Sequence, residues 1–405
     1  MTPETKTTTA AAAAAESPLR NLLLFAGILL IAMNMRAALA SVSPLLTPIG
    51  AALGLGPLGL TALATIPVVC FAALAPVSIM LQRRVGLEAA MMTVLVLLAA
   101  GLLVRVLGGA GALFAGTVMG GAAIAMGNVL LPGLVKRDFP TRVGLVTGCY
   151  TTVMTTIASV AAAISVPVAD ANPFAWRGAL GLWAVPAIVA AVVWLPQLAH
   201  GAHRLSHTPS AGAFRKLARS PLAWAVTMFM GLQSLGFYSI LSWLPAILHA
   251  HGINPTMAGI MLSTTTLVAI PVALVTPGLA TRSRDQRLLL ASLLAIVSVG
   301  YVGLMLAPEA APWVWVVFIG IGQGACFPLA LTLMVLRTGG PAEAMALSAF
   351  SQMVGYAVSI AGPLGLGVIH TLSGHWWPSV AFLVILQVPT LGFGLAAARP
   401  RTIRF

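Results

Sequence analysis

An arginine at position 36 stands inside a long apolar stretch, which makes it the first candidate for binding chemistry in this sequence. It is preceded by NLLLFAGILLIAMNM and followed by AALASV. A guanidinium near the centre of a bilayer costs roughly three to more than ten kcal/mol unless it contacts water, a partner group or a ligand. Deprotonation does not relieve this cost, because a guanidinium stays charged in proteins. Its planar fork of donors suits a small planar anion, so we predict that Arg36 binds one.

Other polar side chains recur within apolar stretches, where they are expected to face the interior of a helix bundle. Ser234 and Tyr238 lie four residues apart, as do Gln352 and Tyr356, so each pair shares a helical face. Each position also has a structural alternative, because polar side chains in membrane helices commonly bond to backbone or to a neighbouring helix. Gln323, in the glycine-rich run GIGQGACFP, is a further polar candidate. The predicted substrate-binding residues are Arg36, Asn34, Asn128, Tyr150, Thr151, Gln233, Ser234, Tyr238, Gln352 and Tyr356.

Acidic residues are confined to the tails, the loops and the ends of the apolar stretches. The eight carboxylates are Glu4, Glu16, Glu88, Asp138, Asp170, Asp285, Glu309 and Glu343. Proton-driven pumps usually carry an acid or histidine relay inside the membrane, and here only His370 and Glu88 come near that role. Facilitated diffusion and a solute that carries its own charge both remain open. We predict no metal and no cofactor, because the three cysteines and seven histidines show no metal-ligand spacing.

The composition places the chain in a membrane. Apolar residues make up 59% of the 405 positions and charged residues only 7%, whereas soluble domains carry about a quarter charged residues. The apolar runs are continuous rather than alternating, which favours helices over a membrane β-barrel. At about 20 residues per crossing, they predict an all-α polytopic protein with twelve transmembrane helices. The predicted stretches are 20–46, 57–81, 88–107, 110–135, 142–168, 178–199, 220–248, 256–280, 287–307, 311–336, 342–371 and 376–398.

The net charge of +13 reflects membrane topology rather than nucleic-acid binding. On the twelve-helix map, every lysine and arginine except Arg36, Arg105 and Arg177 falls at one side of the membrane. Basic residues concentrate on the cytoplasmic side of membrane proteins. We therefore predict a multi-pass protein of a bacterial-type inner membrane, with both termini in the cytoplasm and no nucleic-acid partner.

The helices divide into two halves with a common plan. The predicted organisation is a disordered tail over 1–18, a six-helix half over 19–199, a cytoplasmic loop over 200–219, a second six-helix half over 220–398 and a tail over 399–405. An offset of 201 residues superposes Pro44 on Pro245, Pro76 on Pro277 and Pro140 on Pro341. Repeats of this kind predict pseudo-symmetric halves with the solute site between them, near the midplane.

Charged residues at the cytoplasmic ends are candidates for a latch between the halves. Ion pairs that break as the halves rock apart bias the conformational equilibrium even when each pair is weak. The predicted gating network comprises Arg83, Arg84, Asp138, Arg142, Arg284 and Asp285.

Four segments resemble the cyanate and 2-nitroimidazole transporter family of the major facilitator superfamily. They are NMRAALASVSPLL, GNVLLPGLVKRDFP, GLQSLGFYSILSWLP and LSAFSQMVGYAVSIAGPLGLGVIH. The similarity spans all twelve predicted helices and omits the alanine-rich tail and the central loop. Proline often follows the helix 1 arginine in the family pattern, whereas this chain has Ala37. The resemblance implies the major facilitator fold and transport of a small solute.

Together, these features predict an alternating-access transporter rather than an enzyme. The expected solute is small, planar and anionic or electron-rich, as cyanate and nitroimidazoles are, and uptake is the expected direction. The alternative is a proton-coupled exporter of drug-like compounds, for which an intramembrane carboxylate and a larger aromatic cavity are typical. The expected partners are the small-molecule solute and the lipid bilayer, and we expect a monomer.

Overall fold

Twelve long helices form the body of the protein. The computed structural model describes residues 18–201 and 212–403. Within these ranges twelve helices are long and apolar enough to cross a membrane, which confirms the predicted all-α architecture. We number them α1 Pro18–Ala40, α2 Pro57–Val85, α3 Leu87–Leu107, α4 Ala110–Asp138, α5 Val143–Ala171, α6 Ala184–Gly201, α7 Pro221–Ala250, α8 Pro255–Arg282, α9 Arg287–Leu306, α10 Pro312–Leu336, α11 Pro341–Ser373 and α12 Trp377–Ala397.

Two predicted segments fall wholly or partly outside the described residues. They are the tail over 1–18, of which only Pro18 is described, and the central loop over 200–219, which is described outside 202–211. The C-terminal tail, predicted over 399–405, folds back on the protein as far as it is described. Ile403 donates its backbone N–H to the carbonyl oxygen of Arg337 at 2.7 Å and is buried.

The first predicted stretch, 20–46, is interrupted in the structure. α1 ends at Ala40, and a short 3-10 turn, Ser43–Leu45, leads into the helix Leu46–Leu53. Pro44 occupies the first turn of this 3-10 segment, a place that suits a residue without a backbone N–H. Gly54 ends the second piece with φ of +64°, a conformation that favours glycine. The interruption leaves carbonyl groups at the end of α1 free for other donors.

The helices pack as two groups of six, which we call the N-half (α1–α6) and the C-half (α7–α12). The main contacts between them run along α2 against α11 and along α5 against α8. Exchanging the halves converts the first of these contacts into the second, as a two-fold repeat requires. α4 also packs against α11.

The halves meet most closely at the end of the bundle where α1 begins and α12 ends, which we call the basic end. A Cβ atom at Gly148 of α5 would clash with the carbonyl oxygen of Leu274 on α8. A Cβ atom at Gly133 of α4 would clash with the side chain of Met345 on α11. Bare backbone at these positions lets the helices approach each other and close this end.

Replacing Gly148 with leucine is expected to open the basic end. Overpacking of this kind costs about 1–3 kcal/mol, and it acts only in the conformation in which α5 touches α8. Spin labels on cysteines that replace the exposed Arg142 and Arg284 should therefore move apart in pulsed EPR. The control is Gly392→Leu, because a Cβ atom there meets no other atom within 4 Å. Unchanged distances in the Gly148 variant would contradict the prediction.

Candidate functional site

A cavity of about 750 Å³ lies between the two halves. Small-molecule sites commonly have volumes of about 300–1,000 Å³. Its walls come mainly from α1, α2, α4 and α5 of the N-half and from α7, α8 and α10 of the C-half, with one residue of α11. From mid-bundle it extends to Ser43 and Pro44, beyond the end of α1 and away from the basic end. In this conformation the basic end is therefore closed, and the cavity extends toward the opposite end of the bundle.

Arg36 of α1 lies in the wall of this cavity. Its guanidinium carbon is 5.3 Å from the ring centroid of Phe327 on α10, within the range of a cation–π contact. It also forms a hydrogen bond with the side chain of Tyr238 on α7. Both contacts come from the C-half, so Arg36 links the two halves across the cavity.

The cavity wall is electropositive. Among the described residues that line it, Arg36 and Arg105 are charged and no aspartate or glutamate is present. Positive charge in a cleft with apolar walls concentrates anions and favours their binding.

Aromatic rings, tilted relative to one another, line the cavity together with Arg36. The ring centroid of Tyr356 on α11 is 5.0 Å from that of Phe71 on α2 and 6.5 Å from that of Tyr238. All three rings line the cavity, as does Phe327. Flat apolar faces with hydroxyl groups at their edges suit a planar, electron-rich solute.

Five of the ten predicted binding residues line the cavity, and five do not. Those in the wall are Arg36, Gln233, Ser234, Tyr238 and Tyr356. Those outside the wall are Asn34, Asn128, Tyr150, Thr151 and Gln352. The five in the wall form a continuous patch from α1 across α7 to α11.

Asn34 lies outside the cavity wall and bonds to backbone of its own half. Its Nδ2 donates to the carbonyl oxygens of Leu30 at 2.8 Å and Pro186 at 3.0 Å. Pro186 belongs to α6, so Asn34 ties α1 to a helix of its own half. Two residues along a helix turn the side chain by roughly 200°, and Asn34 therefore lies on nearly the opposite face of α1 from Arg36.

The other four residues outside the wall lie in helix contacts rather than in the cavity. Gln352 donates to the carbonyl oxygen of Asn128 at 2.9 Å, which joins α11 to α4. The hydroxyl of Thr151 donates to the carbonyl oxygen of Thr147 at 2.8 Å and lies 3.4 Å from that of Ala273, where α5 packs against α8. Tyr150 is buried, with 2% of its surface exposed. These side chains belong to the packing that closes the basic end, because α4–α11 and α5–α8 are the contacts that close it.

Both acids of the predicted gating network pair with an arginine of their own half. Asp138 pairs with Arg137 at 2.8 Å, and Asp285 pairs with Arg287 at 2.6 Å, each within its own half. Hydrogen bonds from Arg287 hold the pKa of the Asp285 carboxyl below its usual range. Arg84, Arg142 and Arg284 are exposed. Each of these two ion pairs joins residues one or two positions apart in sequence.

Lys136, which was not among the predicted gating residues, makes a polar contact between the halves. Its Nζ donates to the carbonyl oxygen of Val335 at 2.5 Å and to the carbonyl oxygen of Thr338. The hydroxyl of Thr338 is a further partner at 3.2 Å. A lysine of α4 thus binds carbonyl groups at the C-terminal end of α10, where a positive charge is favourable.

Arg105 is a second cation in the cavity wall, and the sequence analysis assigned no role to it. Its Nη1 donates to the carbonyl oxygen of Ala38 at 2.9 Å and its Nη2 to that of Leu180 at 3.2 Å. Only 3% of its surface is exposed. It binds carbonyl groups left free at the ends of α1 and of the short helix Trp176–Gly181, and so fixes the end of the helix that carries Arg36.

Replacing Arg105 with methionine is expected to destabilise the protein. Two buried carbonyl groups lose a charged donor, and each such loss costs about 1–3 kcal/mol. The melting temperature of the purified protein should fall by several degrees. The control is Arg177→Met, because Arg177 is less buried and makes one backbone bond, at 3.2 Å to Gly108. Equal melting temperatures for the two variants would contradict the prediction.

The described residues contain no group of three or more histidine, cysteine or acidic side chains that could hold a metal ion. The three cysteines are free thiols, and Cys70 and Cys326 are buried.

Comparison with known proteins identifies relatives along nearly the whole chain. The profile of the Major Facilitator Superfamily matches residues 24–363. The 2-nitroimidazole transporter of Escherichia coli (strain K12) is 38% identical over 383 residues, which cover 95% of this chain and 97% of that protein. The cyanate transport protein CynX of the same organism is 32% identical over 374 residues, which cover 90% of this chain and 96% of that protein. The uncharacterized transporter YycB of Bacillus subtilis (strain 168) is 37% identical over 383 residues, covering 94% of each.

Solved structures share the fold at low sequence identity. The Escherichia coli fucose:proton symporter FucP superposes with a TM-score of 0.69 at 14% identity, covering 92% of this chain and 98% of that one. The proton:xylose symporter XylE superposes with a TM-score of 0.72 at 14% identity, and the match covers 92% of this chain and 94% of that one.

Proposed function

Because the chain belongs to the major facilitator superfamily, and within it to the family of the 2-nitroimidazole and cyanate transporters, we propose that it carries a small, planar, anionic or electron-rich solute. The observation that carries the proposal is the position of Arg36. A permanently charged guanidinium lies in the wall of a cavity between the halves, and no carboxylate among the described lining residues neutralises it.

The side chains around Arg36 divide the work of recognition. The guanidinium offers parallel donors to two acceptor atoms of one anionic or electron-rich group. Tyr238 holds it through a hydrogen bond, and Phe327 packs against its face. The rings of Phe71 and Tyr356 then enclose the flat face of the solute. Gln233 and Ser234 add polar contacts from α7.

Transport follows from alternating closure of the two ends. With the basic end in the cytoplasm, as the charge distribution predicts, the described conformation faces outward. A solute enters the cavity, binds between the halves and leaves after the α4–α11 and α5–α8 contacts separate. We propose uptake as the direction, because the positive wall draws anions from the outer side. The alternative, a proton-coupled drug exporter, typically has an intramembrane carboxylate. The described cavity wall contains none, which gives this alternative no support.

The first test of this function is thermal stabilisation of the purified protein by candidate solutes. A ligand that binds the folded state raises the melting temperature according to its concentration relative to Kd. Cyanate, nitrate and 2-nitroimidazole are compared with bulky cationic drugs. Stabilisation by at least one of the small planar solutes is expected. Stabilisation by the bulky cations alone would overturn the proposal.

The direction of transport needs a separate assay in cells. Cells that express the protein should accumulate a radiolabelled form of the stabilising solute faster than cells with an empty vector. Lower accumulation than in the empty-vector cells would show export and overturn the proposed direction while leaving the solute class intact.

A further inference from the structure

Two described side chains in the cavity wall have a buried polar atom without a hydrogen-bond partner, Arg105 at Nε and Gln323 at Oε1, and only the second of these atoms is an acceptor. Gln323 of α10 lines the cavity, and only 8% of its surface is exposed. Its Nε2 donates to the hydroxyl oxygen of Tyr301 on α9 at 2.6 Å. Its Oε1 is buried and has no hydrogen-bond partner among the described residues. A buried acceptor left unpaired costs free energy, and a donor on a bound solute removes that cost.

The sequence around Gln323 holds the amide at a fixed place. A Cβ atom at Gly320 would lie 2.7 Å from the carbonyl oxygen of Thr265 on α8, and one at Gly322 would clash with the side chain of Val297 on α9. α10 is therefore held by close packing on two sides. Because the helix is held in place, Gln323 has little freedom to move away from the cavity.

Space for the amide is provided by α7. A Cβ atom at Gly236 would lie 2.9 Å from Nε2 of Gln323 and 3.2 Å from the hydroxyl oxygen of Tyr301. Any larger residue at Gly236 would press on this pair. The bond to Tyr301 and the packing against Gly236 together restrict rotation of the carboxamide.

Gln323 lies on the same side of α10 as the aromatic ring that packs against Arg36. Phe327 follows it by four residues, one turn along the helix, and the Arg36 guanidinium is 5.3 Å from the Phe327 ring centroid. The cavity wall thus holds a charged donor group beside Phe327 and, one helical turn from Phe327 along α10, a side chain with an unpaired acceptor. A solute that bonds to both side chains carries an acceptor group and a donor group.

We propose that the solute carries an N–H or O–H group beside its anionic or electron-rich group, and that Gln323 Oε1 accepts a hydrogen bond from it. The inference rests on the proposed function and narrows its solute class. A ring such as a nitroimidazole has the required arrangement, because its nitro oxygens can meet Arg36 while its ring N–H meets Gln323. A bare linear anion such as cyanate leaves the amide unpaired and binds more weakly.

The test compares 2-nitroimidazole with its N1-methyl analogue, which lacks the ring N–H. Dissociation constants are measured by calorimetry on the purified wild-type protein at mildly acidic pH, where the parent ring keeps its N–H. The parent compound is expected to bind about tenfold more tightly. Equal affinities would overturn the inference but leave the proposed solute class standing. Failure of both compounds to bind would overturn the inference together with the nitroimidazole part of that class.

Two variants separate the hydrogen bond from the added bulk of the methyl group. Gln323→Leu removes the acceptor at similar volume, so the preference for the parent compound should fall to about twofold or less. Gln323→Glu keeps an acceptor oxygen and should keep the preference. A preference that persists in the leucine variant, or one lost equally in both variants, would overturn the inference. If the leucine variant does not fold, the wild-type ratio and the glutamate variant still decide.

Discussion

Replacing Arg36 with alanine is expected to weaken solute binding by at least a hundredfold while the protein stays folded. Each hydrogen bond from a charged donor contributes about 1.5–3 kcal/mol, and the proposed solute receives two from this side chain. A cost of about 3 kcal/mol or more corresponds to a factor above one hundred. Folding is spared because the variant loses an intramembrane charge, which is itself costly to bury.

The measurement is calorimetric binding of the solute that stabilises the wild type, beside melting temperature in its absence. Arg177→Ala is the matched control, because this cation lies outside the cavity wall and packs against Trp176 at 4.4 Å. It should keep wild-type affinity. Retained affinity in Arg36→Ala would refute the anchoring role and direct attention to Arg105, the other cation in the wall.

Arg36→Lys distinguishes a planar donor from a point charge. Lysine keeps the positive charge but loses the bidentate geometry and the flat contact with Phe327. We expect the lysine variant to bind poorly as well. Normal affinity would mean that charge alone attracts the solute and that the shape of the guanidinium has no part in selection.

The sequence predicted the helices and the central arginine because both depend on patterns that a single chain displays. Apolar runs of membrane length fix the number of crossings, and a charge inside such a run is conspicuous at Arg36. Four-residue spacing also placed Ser234 and Tyr238 together on one face of α7, and both line the cavity. The same spacing relates Gln352 to Tyr356, but only Tyr356 lines the cavity, because Gln352 donates to the carbonyl oxygen of Asn128.

Features that depend on the approach of distant segments were not predictable. Phe71 and Phe327 form part of the wall, but an apolar ring in a membrane helix looks the same whether it faces lipid, the core or a cavity. Arg105 binds backbone carbonyls of two other segments, and carbonyl groups leave no signature in a sequence. The contact of Lys136 between the halves was not predicted for the same reason, since it uses carbonyl groups of Val335 on α10 and of Thr338 just beyond it.

The contact of Lys136 with the other half can be compared with that of the related cation in the C-half. The offset of 201 residues that relates the prolines also relates Lys136 to Arg337, at the ends of α4 and α10. Arg337 donates to the carbonyl oxygens of Ala397 at 2.7 Å and Ala398 at 3.0 Å, both in its own half. Lys136 instead binds carbonyls of the opposite half. Arg337 therefore stabilises its own half, whereas Lys136 holds the two halves together.

Replacing Lys136 with methionine is therefore expected to favour opening of the basic end. Its bonds to the carbonyls of Val335 and Thr338 exist only while the halves touch, so they stabilise the closed conformation alone. Removing a stabilisation of about 2 kcal/mol shifts the equilibrium roughly thirtyfold toward the open conformation. Pulsed EPR between labels at positions 142 and 284 should report longer distances.

Arg337→Met provides the matched contrast for this prediction. Because the bonds of Arg337 lie within the C-half, its loss should lower the melting temperature and leave the distance between the labels unchanged. The opposite pattern, or the same response in both variants, would show that the contact of Lys136 does not control closure. The two substitutions remove the same charge from related helix ends, so a difference between them reports which half each cation binds rather than the charge itself.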